Sequence, residues 1–428
     1  MKRKLKLYVP IFIIFLAFLL RISVLINYGL DYHLNSDDAG YVNSAVRLLE
    51  NGMLTYHFED IPTVHLMPGE PFMLAAIFAI FGTTKGLWVA KLVHILIGCA
   101  TIYVAMLLSK RWVGEKGSWL VGLIGAIFPP FIQVDNLTLT EGPFVLAMLL
   151  LIYCSIRLSE KQNMLWFSFV LITYFIALYF RVNIGLYPLV LFLYLWYKKY
   201  PKQLFLKQIM ISVVALLVVM GPWWIRNYMV FDKFIPLTAG SGDPLLLGTF
   251  QGEGYPEGSY SESIQITDGR VPKEDIPARM EERKVEALER MAQWWEDDPV
   301  SMLKSYLWLK PKDYLNGIFY WKPVLGFEPE DVLQWYQLML AVGAAGWLGL
   351  GFIRKHRAEV LLIVSFVLMN IALNSYYFAY PRYNYPLIFI WIIGFVYMIQ
   401  MAVHGIQRQR RKLDGEKESA AVNHTSIQ

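Results

Sequence analysis

Long apolar runs separated by short polar segments dominate this chain. A membrane helix needs roughly 17–25 apolar residues, and the pattern predicts ten of them. Several are near or below that lower limit, so tilt or neighbouring helices must accommodate their ends. The ten predicted spans lie near residues 7–27, 87–108, 118–134, 142–157, 164–180, 184–197, 208–225, 332–353, 358–374 and 385–403.

The apolar run PFMLAAIFAIFG, residues 71–82, is too short for a regular span and favours an interfacial or re-entrant segment. Lys and Arg accumulate on the cytoplasmic side of membrane proteins. If 71–82 stays outside the bilayer, every basic cluster falls in the cytoplasm. We therefore predict ten spans, both termini inside and a juxtamembrane helix at 71–82, with an eleventh span as the alternative. The clusters are 1–6, 110–117, 157–162, 198–207, 354–357 and 408–412.

Composition agrees with a polytopic all-α membrane protein. Of the 428 residues 56% are hydrophobic and only 17% are charged, whereas soluble domains carry about a quarter charged residues. The two cysteines, Cys99 and Cys154, lie inside apolar runs, which argues against a disulfide framework or a zinc site. The sequence shows neither an internal repeat nor a nucleotide-binding glycine motif.

The topology divides the chain into four predicted regions. A segment rich in Gly and Pro opens the large outer region and predicts irregular structure, and an amphipathic helix follows it near 275–297. The regions are an N-terminal transmembrane module (1–225, with the first outer loop at 28–86), an extracytoplasmic loop region (226–331), C-terminal transmembrane helices (332–404) and a basic and polar cytoplasmic tail (405–428).

Ionisable residues collect where the predicted outer segments meet helix ends. Unpaired charge is costly there, so such residues suggest a functional site. For Asp37 and Asp38 the alternative is capping of the helix that they open. Acids come first along the chain and arginines follow: Asp37, Asp38, Glu70, Asp135, Glu141, Arg181, Arg226 and Arg382.

This mixture of acids and arginines suits a phosphate-bearing lipid substrate. The planar guanidinium of arginine matches phosphate oxygens and keeps its charge near apolar surroundings. Aromatic residues in the same segments, Tyr383 among them, could stack on a sugar. A carboxylate could take the proton of a hydroxyl that attacks the anomeric carbon, while arginines stabilise the departing phosphate.

Six segments, in order and spacing, resemble the GT-C membrane glycosyltransferases, most closely the bacterial protein-mannosyltransferase-like and aminoarabinose-transferase-like branch. The resemblance covers residues 7–400, and no single motif is diagnostic. The segments are SDDAGYVNSAVRLL, HLMPGEPFMLAAIFAIFG, FPPFIQVDNLTLTEGPF, FRVNIGLYPLVL, GPWWIRNYMVFDKFIPLTAGSG and PRYNYPLIF.

The resemblance implies a GT-C fold with about 10–11 transmembrane helices and juxtamembrane helices in the first outer loop. It also implies an inverting transferase whose donor is a sugar on a polyprenyl phosphate, with undecaprenyl phosphate as the expected carrier. The acceptor is a hydroxyl of a glycan, lipid or protein, and nucleic acid is not an expected partner. The protein is expected in the plasma membrane with its active site extracytoplasmic.

The resemblance also assigns roles to individual residues. Asp37 matches the catalytic Asp of the family and is the expected base. Asp38 stands where relatives carry a second acid or a small residue, and it is expected as a second catalytic residue that contacts a metal or the acceptor, unless it only caps the helix. Glu70 replaces the tyrosine that is usual in the juxtamembrane motif, which leaves its role open. The remaining matches are the second acidic loop and basic positions bordering the donor pocket: Asp135, Glu141, Arg181, Arg226 and Arg382.

Two questions stay open at the sequence level. A divalent cation held by Asp37, Asp135 and Glu141 would bind the donor phosphate, as in some GT-C enzymes, while other members need none. A polymerase or ligase of lipid-linked glycans, or a flippase for them, would share several of these features. A flippase, however, should carry ionisable residues at mid-helix depth and repeated halves.

Overall fold

The protein is described by a computed structural model that covers the backbone of residues 2–425 and the side chains of residues 8–407. All regular structure within this range is helical, which confirms the predicted all-α class. The side chains of the basic clusters predicted at 1–6 and 408–412 lie outside the described residues.

Seventeen α-helices run through the described residues. Short 3-10 turns at Gly29–Asp31, Val182–Leu186 and Pro381–Leu387 and a π-helical turn at Ser305–Leu309 adjoin them. In chain order the helices are α1 (Lys2–Tyr28), α2 (Asp37–Asn51), α3 (Gly69–Phe81), α4 (Thr83–Ile127), α5 (Pro129–Val134), α6 (Glu141–Lys161), α7 (Met164–Phe180), α8 (Tyr187–Tyr197), α9 (Lys202–Phe231), α10 (Gly242–Gly248), α11 (Tyr260–Arg270), α12 (Ile276–Asp297), α13 (Pro299–Lys304), α14 (Lys310–Asn316), α15 (Pro329–Phe352), α16 (Arg357–Tyr376) and α17 (Ile388–Thr425).

Helix α4 consists of two arms that meet at Gly114. This residue has φ 64° and ψ −171°, outside the helical region, and glycine reaches positive φ without a Cβ penalty. The first arm contains the predicted span 87–108, and the second arm with α5 contains 118–134. All ten predicted spans therefore fall on helices.

Six helical segments of the described chain are long and apolar enough to cross a membrane by length and composition. Helix α15 is not among them, and the shorter apolar helices include α3, α7 and the segment Val182–Tyr197. The six segments are Tyr8–Asp31, Thr83–Ile127, Glu141–Lys161, Lys202–Phe231, Arg357–Tyr376 and Pro381–Gln407.

Helix α3 and the beginning of α4 form an antiparallel hairpin. Glu70 at the start of α3 contacts His94, with 2.9 Å between Oε1 and Nε2. On α4, His94 lies 16 residues before Lys110, about 24 Å along the axis at 1.5 Å per residue. On α6, Glu141 lies the same distance before Arg157, so His94 and Glu141 are at about the same height in the bundle. Helix α3 begins beside His94 and runs away from Lys110, so it extends beyond the level of Glu141, which supports a juxtamembrane helix over an eleventh span.

The predicted outer region between α9 and α15 contains five helices, α10 to α14, and is more helical than predicted. The amphipathic helix expected at 275–297 is α12, which packs on α10 through a small apolar core that includes Leu246 and Ala287. This region is tied to the segment before α17, because the amide of Gln251 donates to and accepts from the backbone of Ala379 at 3.0 and 2.8 Å. It is placed to brace that segment.

Candidate active site

Asp37 lies at the first turn of α2 and holds two side-chain hydrogen bonds. Its Oδ2 accepts a hydrogen bond from Nη1 of Arg382 at 2.6 Å, and its Oδ1 accepts one from the hydroxyl of Tyr56 at 2.6 Å. The Asp37 side chain is 36% exposed, whereas Arg382 is 6% exposed. The carboxylate is therefore fixed by buried or half-buried groups and still open on one side.

Arg382 joins two acidic segments of the protein. It lies in the 3-10 turn Pro381–Leu387 that leads into α17. Its Nη1 binds Asp37, and its Nε donates to Oε1 of Glu141. The guanidinium lies 4.8 Å from the ring centroid of Phe319. Such a planar cation can bridge two carboxylates, which a lysine ammonium at the same place would do less well.

Glu141 is the first residue of α6 and is fully buried. Besides Arg382 it faces Arg181, whose Nη1 lies 3.0 Å from Oε1. Arg181 caps the end of α7, and its guanidinium lies 5.4 Å from the ring centroid of Tyr383. We call Asp37, Glu141, Arg181 and Arg382 the charge cluster. Its two carboxylates and two guanidinium groups balance in formal charge.

Tyr56 belongs to this site although no sequence pattern selects it. Burial and the nearby Asp37 raise the pKa of Tyr56, so its hydroxyl stays protonated and donates to the carboxylate. The ring stacks on His65 at 5.9 Å between centroids. A Cβ on Gly40 would come within 2.7 Å of the Tyr56 ring, which explains a glycine in the DDAGY motif. Burial lowers the pKa of His65 to about 4.

Asp38 is buried, and its carboxylate accepts hydrogen bonds from backbone N–H groups nearby in the chain. Its Oδ2 accepts from the N–H of Leu34 at 2.6 Å, and its Oδ1 accepts from the N–H groups of Ser36 and Ala39 at 3.1 and 3.0 Å. These bonds shape the turn that begins α2. Among the described residues the carboxylate makes no hydrogen bond to the charge cluster, and its contacts with backbone N–H groups agree with the capping alternative.

Glu70 and Asp135 are buried in separate pairs near the charge cluster. Glu70 binds His94 through Oε1, while its Oε2 has no hydrogen-bond partner among the described residues. Asp135 accepts a hydrogen bond from Nε of Arg21 at 2.6 Å, so Arg21 has its partner inside the bundle. Neither carboxylate makes a hydrogen bond to the cluster.

Arg226 also lies apart from the charge cluster. Its Nη1 donates to the carbonyl of Thr63 at 2.8 Å and to Oδ1 of Asn227 at 3.0 Å. The guanidinium lies 5.3 Å from the ring centroid of Trp223. Arg226 thus fastens the first outer loop to α9, and of the three predicted arginines only Arg181 and Arg382 meet at Glu141.

The predicted metal ligands do not form a cation site. Arg382 forms ion pairs with both Asp37 and Glu141, and Arg21 forms one with Asp135. In the described part of the chain no three His, Cys, Asp or Glu side chains are grouped so that they could hold a metal. The acids predicted to bind a divalent cation are instead paired with arginines.

The sequence matches one protein family over part of its length. Residues 65–225 match the family described as dolichyl-phosphate-mannose-protein mannosyltransferase. This range runs from the first outer loop into α9 and contains Glu141 and Arg181 of the charge cluster. No curated protein matches the chain.

The comparison with solved structures finds matches from an archaeon and a bacterium. The apo oligosaccharyltransferase of Archaeoglobus fulgidus has a TM-score of 0.57 at 13% identity, covering 96% of this chain and 52% of that one. The AglB oligosaccharyltransferase of the same organism, in complex with an inhibitory peptide and a dolichol-phosphate, has a TM-score of 0.51 at 11% identity, with 97% and 52% covered. ArnT from Cupriavidus metallidurans bound to undecaprenyl phosphate has a TM-score of 0.41 at 14% identity, with 89% and 77% covered.

This chain spans about half the length of the oligosaccharyltransferase chains that it resembles. The shared part is the helical fold, and the family match covers the end of the first outer loop, α3 to α8 and most of α9. Together with its apolar helices, these findings identify an integral membrane protein. Residues 65–225 are therefore similar to the dolichyl-phosphate-mannose-protein mannosyltransferase family, and most of the chain shares the helical fold of the archaeal oligosaccharyltransferase.

Proposed function

We propose that this protein transfers a sugar from a polyprenyl phosphate, with undecaprenyl phosphate as the expected carrier, to an acceptor hydroxyl on the extracytoplasmic side of the membrane. The observation that carries the proposal is the charge cluster at the helix mouths. Its one open carboxylate, Asp37, touches a buried arginine that can bind phosphate. The proposed acceptor is a glycan, lipid or protein.

Asp37 is the proposed general base. The acceptor hydroxyl attacks the anomeric carbon and gives its proton to the Asp37 carboxylate, while the bond between that carbon and the phosphate oxygen breaks. The products are the glycosylated acceptor and polyprenyl phosphate, and the configuration at the anomeric carbon inverts. The hydrogen bonds from Tyr56 and Arg382 hold the carboxylate in one orientation.

Arg382 and Arg181 are the proposed binding groups for the donor phosphate. Preorganised cations stabilise the charge that develops on a leaving phosphate more effectively than water does. Glu141 is buried between both arginines and is the proposed positioning residue for them. Tyr383, which lies beside Arg181, is proposed to contact the sugar or its phosphate.

The other predicted site residues receive supporting roles in this proposal. Asp38 fixes the turn that presents Asp37, and Arg226 fixes the loop that carries Tyr56. Glu70 joins α3 to α4, and Asp135 joins the end of α5 to α1. The dolichol-phosphate named for the AglB complex is the class of ligand that the proposal assigns to this site.

The proposal predicts that Asp37→Asn lowers sugar transfer at least about 100-fold, since a general base contributes roughly that much or more. Binding of the donor should persist because both arginines remain. The measurement is release of undecaprenyl phosphate from a panel of undecaprenyl-phosphate sugars in membranes containing the protein. Asp31→Asn, which changes an exposed acid of the same outer loop, should retain full activity.

Full activity of Asp37→Asn would refute the base assignment. Consumption of pyrophosphate-linked glycans in place of the single-phosphate donors would instead favour a polymerase or ligase. Movement of the lipid across the bilayer without transfer would favour a flippase. Repeating the assay with a chelator tests the divalent cation directly.

A further inference from the structure

An exposed tryptophan lies at the edge of the charge cluster. Trp321 is 47% exposed, yet its ring centroid lies 5.9 Å from the guanidinium carbon of Arg382. Arg382 also donates to the partly exposed carboxylate of Asp37. One buried arginine thus contacts both the exposed ring and the exposed acid, so a ligand bound at Asp37 lies close to Trp321.

The segment that carries Trp321 is held by buried polar groups. The side chain of Gln133 on α5 accepts a hydrogen bond from the N–H of Lys322 at 2.8 Å, and its amide nitrogen donates to the carbonyl of Phe319 at 3.4 Å. The hydroxyl of Tyr32 donates to the carbonyl of Lys322 at 2.6 Å. Trp321 is therefore presented on a fixed backbone, and a ligand that binds its ring does not have to order the segment.

Trp321 and Tyr380 together form an aromatic surface, which we call the aromatic platform. Their ring centroids are 5.7 Å apart, and the ring planes are inclined by 49°. The buried ring of Phe319 meets Trp321 edge to face at 4.7 Å between centroids, and Phe378 stacks on Tyr380 at 5.2 Å. The platform is therefore supported by further rings, carries no charge and lies beside the charge cluster.

Tryptophan also anchors membrane proteins at the lipid–water interface, and the contacts of Trp321 differ from those of a simple anchor. Trp308 of the same outer region is 66% exposed, and its ring makes no aromatic or cation contact within the described chain. Trp321 instead packs against Arg382, Phe319 and Tyr380. An anchor needs no contact with the charge cluster, so Trp308 provides a matched comparison.

A sugar ring fits both parts of this arrangement. The faces of a pyranose carry C–H groups that pack on aromatic rings, while its rim carries hydroxyl groups that donate to carboxylates. The proposed reaction also requires a sugar within reach of Asp37. An anion by itself gains little from two neutral rings, so the platform adds recognition that the charge cluster does not provide.

We propose that the aromatic platform stacks on the face of a pyranose ring whose rim is turned toward Asp37. This inference rests on the proposed function, which supplies the sugar that the platform binds. The ring belongs either to a glycan acceptor or to the sugar of the donor, and the chemistry of recognition is the same for both. Trp321 is in each case a binding residue that selects carbohydrate and takes no part in proton transfer.

Trp321→Leu tests the platform in the purified full chain in lipid nanodiscs. The first probes are labelled mannotetraose, chitotetraose and cellotetraose, added without a donor so that binding does not depend on turnover. The wild-type chain should bind at least one of them. Trp321→Leu should bind it about 10-fold more weakly, a loss of about 1.4 kcal/mol that is typical of an aromatic contact. The matched control Trp308→Leu should bind it as the wild type does.

Native mass spectrometry with undecaprenyl-phosphate mannose and undecaprenyl phosphate tests the second source of the ring. If Trp321→Leu alone loses a preference for the sugar-bearing lipid, the platform binds a sugar and that sugar belongs to the donor. If only the oligosaccharide binding weakens, the platform binds a sugar of the acceptor.

Equal binding of every probe by the wild type and Trp321→Leu, including no binding by either, would overturn the proposal. Equal losses in Trp321→Leu and Trp308→Leu would also overturn it, since both residues would then act as interface anchors. A labelled polyproline peptide that binds through Trp321 while no oligosaccharide binds would exclude carbohydrate. The proposed function is tested separately, because full transfer by Asp37→Asn would remove the base assignment and leave oligosaccharide binding at Trp321 unaffected.

Discussion

At the scale of single residues, one neighbour of Asp37 compensates its charge and another fixes its orientation. Arg382 supplies the compensating charge, while Tyr56 supplies a neutral donor that fixes the second carboxylate oxygen. A carboxylate held at both oxygens loses little orientational freedom when a substrate arrives. Tyr56 is therefore a positioning residue in the proposed mechanism.

Tyr56→Phe should lower kcat between about 10-fold and 150-fold, because a hydrogen bond to a charged group contributes about 1.5–3 kcal/mol. The KM for the donor should change little, since the arginines are untouched. Steady-state kinetics at a fixed acceptor concentration measures kcat and the KM for the donor separately. Tyr28→Phe, at an exposed tyrosine near the same loop, is the matched control, and a fall in both variants or a rise in KM alone would contradict the positioning role.

The charge pattern was sufficient to select the four members of the charge cluster. Acids and arginines at helix mouths on one predicted side must compensate each other, and they do so here. The same pattern also selected Arg226 and Asp38, whose partners are mainly backbone groups. A hydrogen bond to a backbone group cannot be predicted from residue types. The contact between Tyr56 and Asp37, 19 positions apart, cannot be predicted from them either.

At the scale of helices, close packing around Asp135 depends on a glycine. An added Cβ on Gly98 of α4 would overlap the Asp135 carboxylate that binds Arg21 of α1. Other glycines of the bundle have more room, and one example is Gly221 of α9, around which nothing lies within 4 Å. The two positions therefore offer a matched pair.

Gly98→Ala should destabilise the protein by about 1–3 kcal/mol, the usual cost of overpacking, and by more if the buried ion pair breaks. Gly221→Ala should be neutral or slightly stabilising, because alanine favours a helix over glycine. Thermal unfolding in detergent measures both variants. Equal Tm values for the two would mean that α4 shifts freely and that the contact with Asp135 has no energetic weight.

Hydrophobic run length predicted the helices of the bundle better than those of the outer region. All ten predicted spans fall on helices, and a helix is what a chain in lipid must form because exposed backbone polar groups are costly there. The outer region is solvated, so its Gly- and Pro-rich opening gave no such constraint. Helix α10 therefore went unpredicted, while the amphipathic pattern of α12 identified that helix within one residue at its start.

At the scale of the whole molecule, the proposed topology places the outer region and the basic loops on opposite sides. Gly269 is an exposed position in the last turn of α11 that has space for a larger side chain, and Lys198 is exposed in the turn between α8 and α9. Both native cysteines are buried. Single-cysteine labelling can therefore proceed without removing them.

Gly269→Cys should react with a membrane-impermeant thiol reagent on intact bacterial cells. Lys198→Cys should react only after the cells are permeabilised, since its loop is proposed to be cytoplasmic. The unsubstituted chain serves as the control and should not be labelled in either condition. Labelling of both variants on intact cells would rule out the proposed topology.

The long sequence separation within the charge cluster has a consequence for how the protein is made. Asp37 and Arg382 are 345 positions apart, and Glu141 and Arg382 are 241 apart. At roughly 5–20 residues per second, a ribosome needs on the order of 17–70 s to make Arg382 after Asp37. During that interval the nascent chain holds Asp37 and Glu141 without Arg382, so under the proposed mechanism its site is incomplete until the last helix has been made. A chain cut short before that helix would leave Glu141 with Arg181 as its remaining ion-pair partner among the described residues.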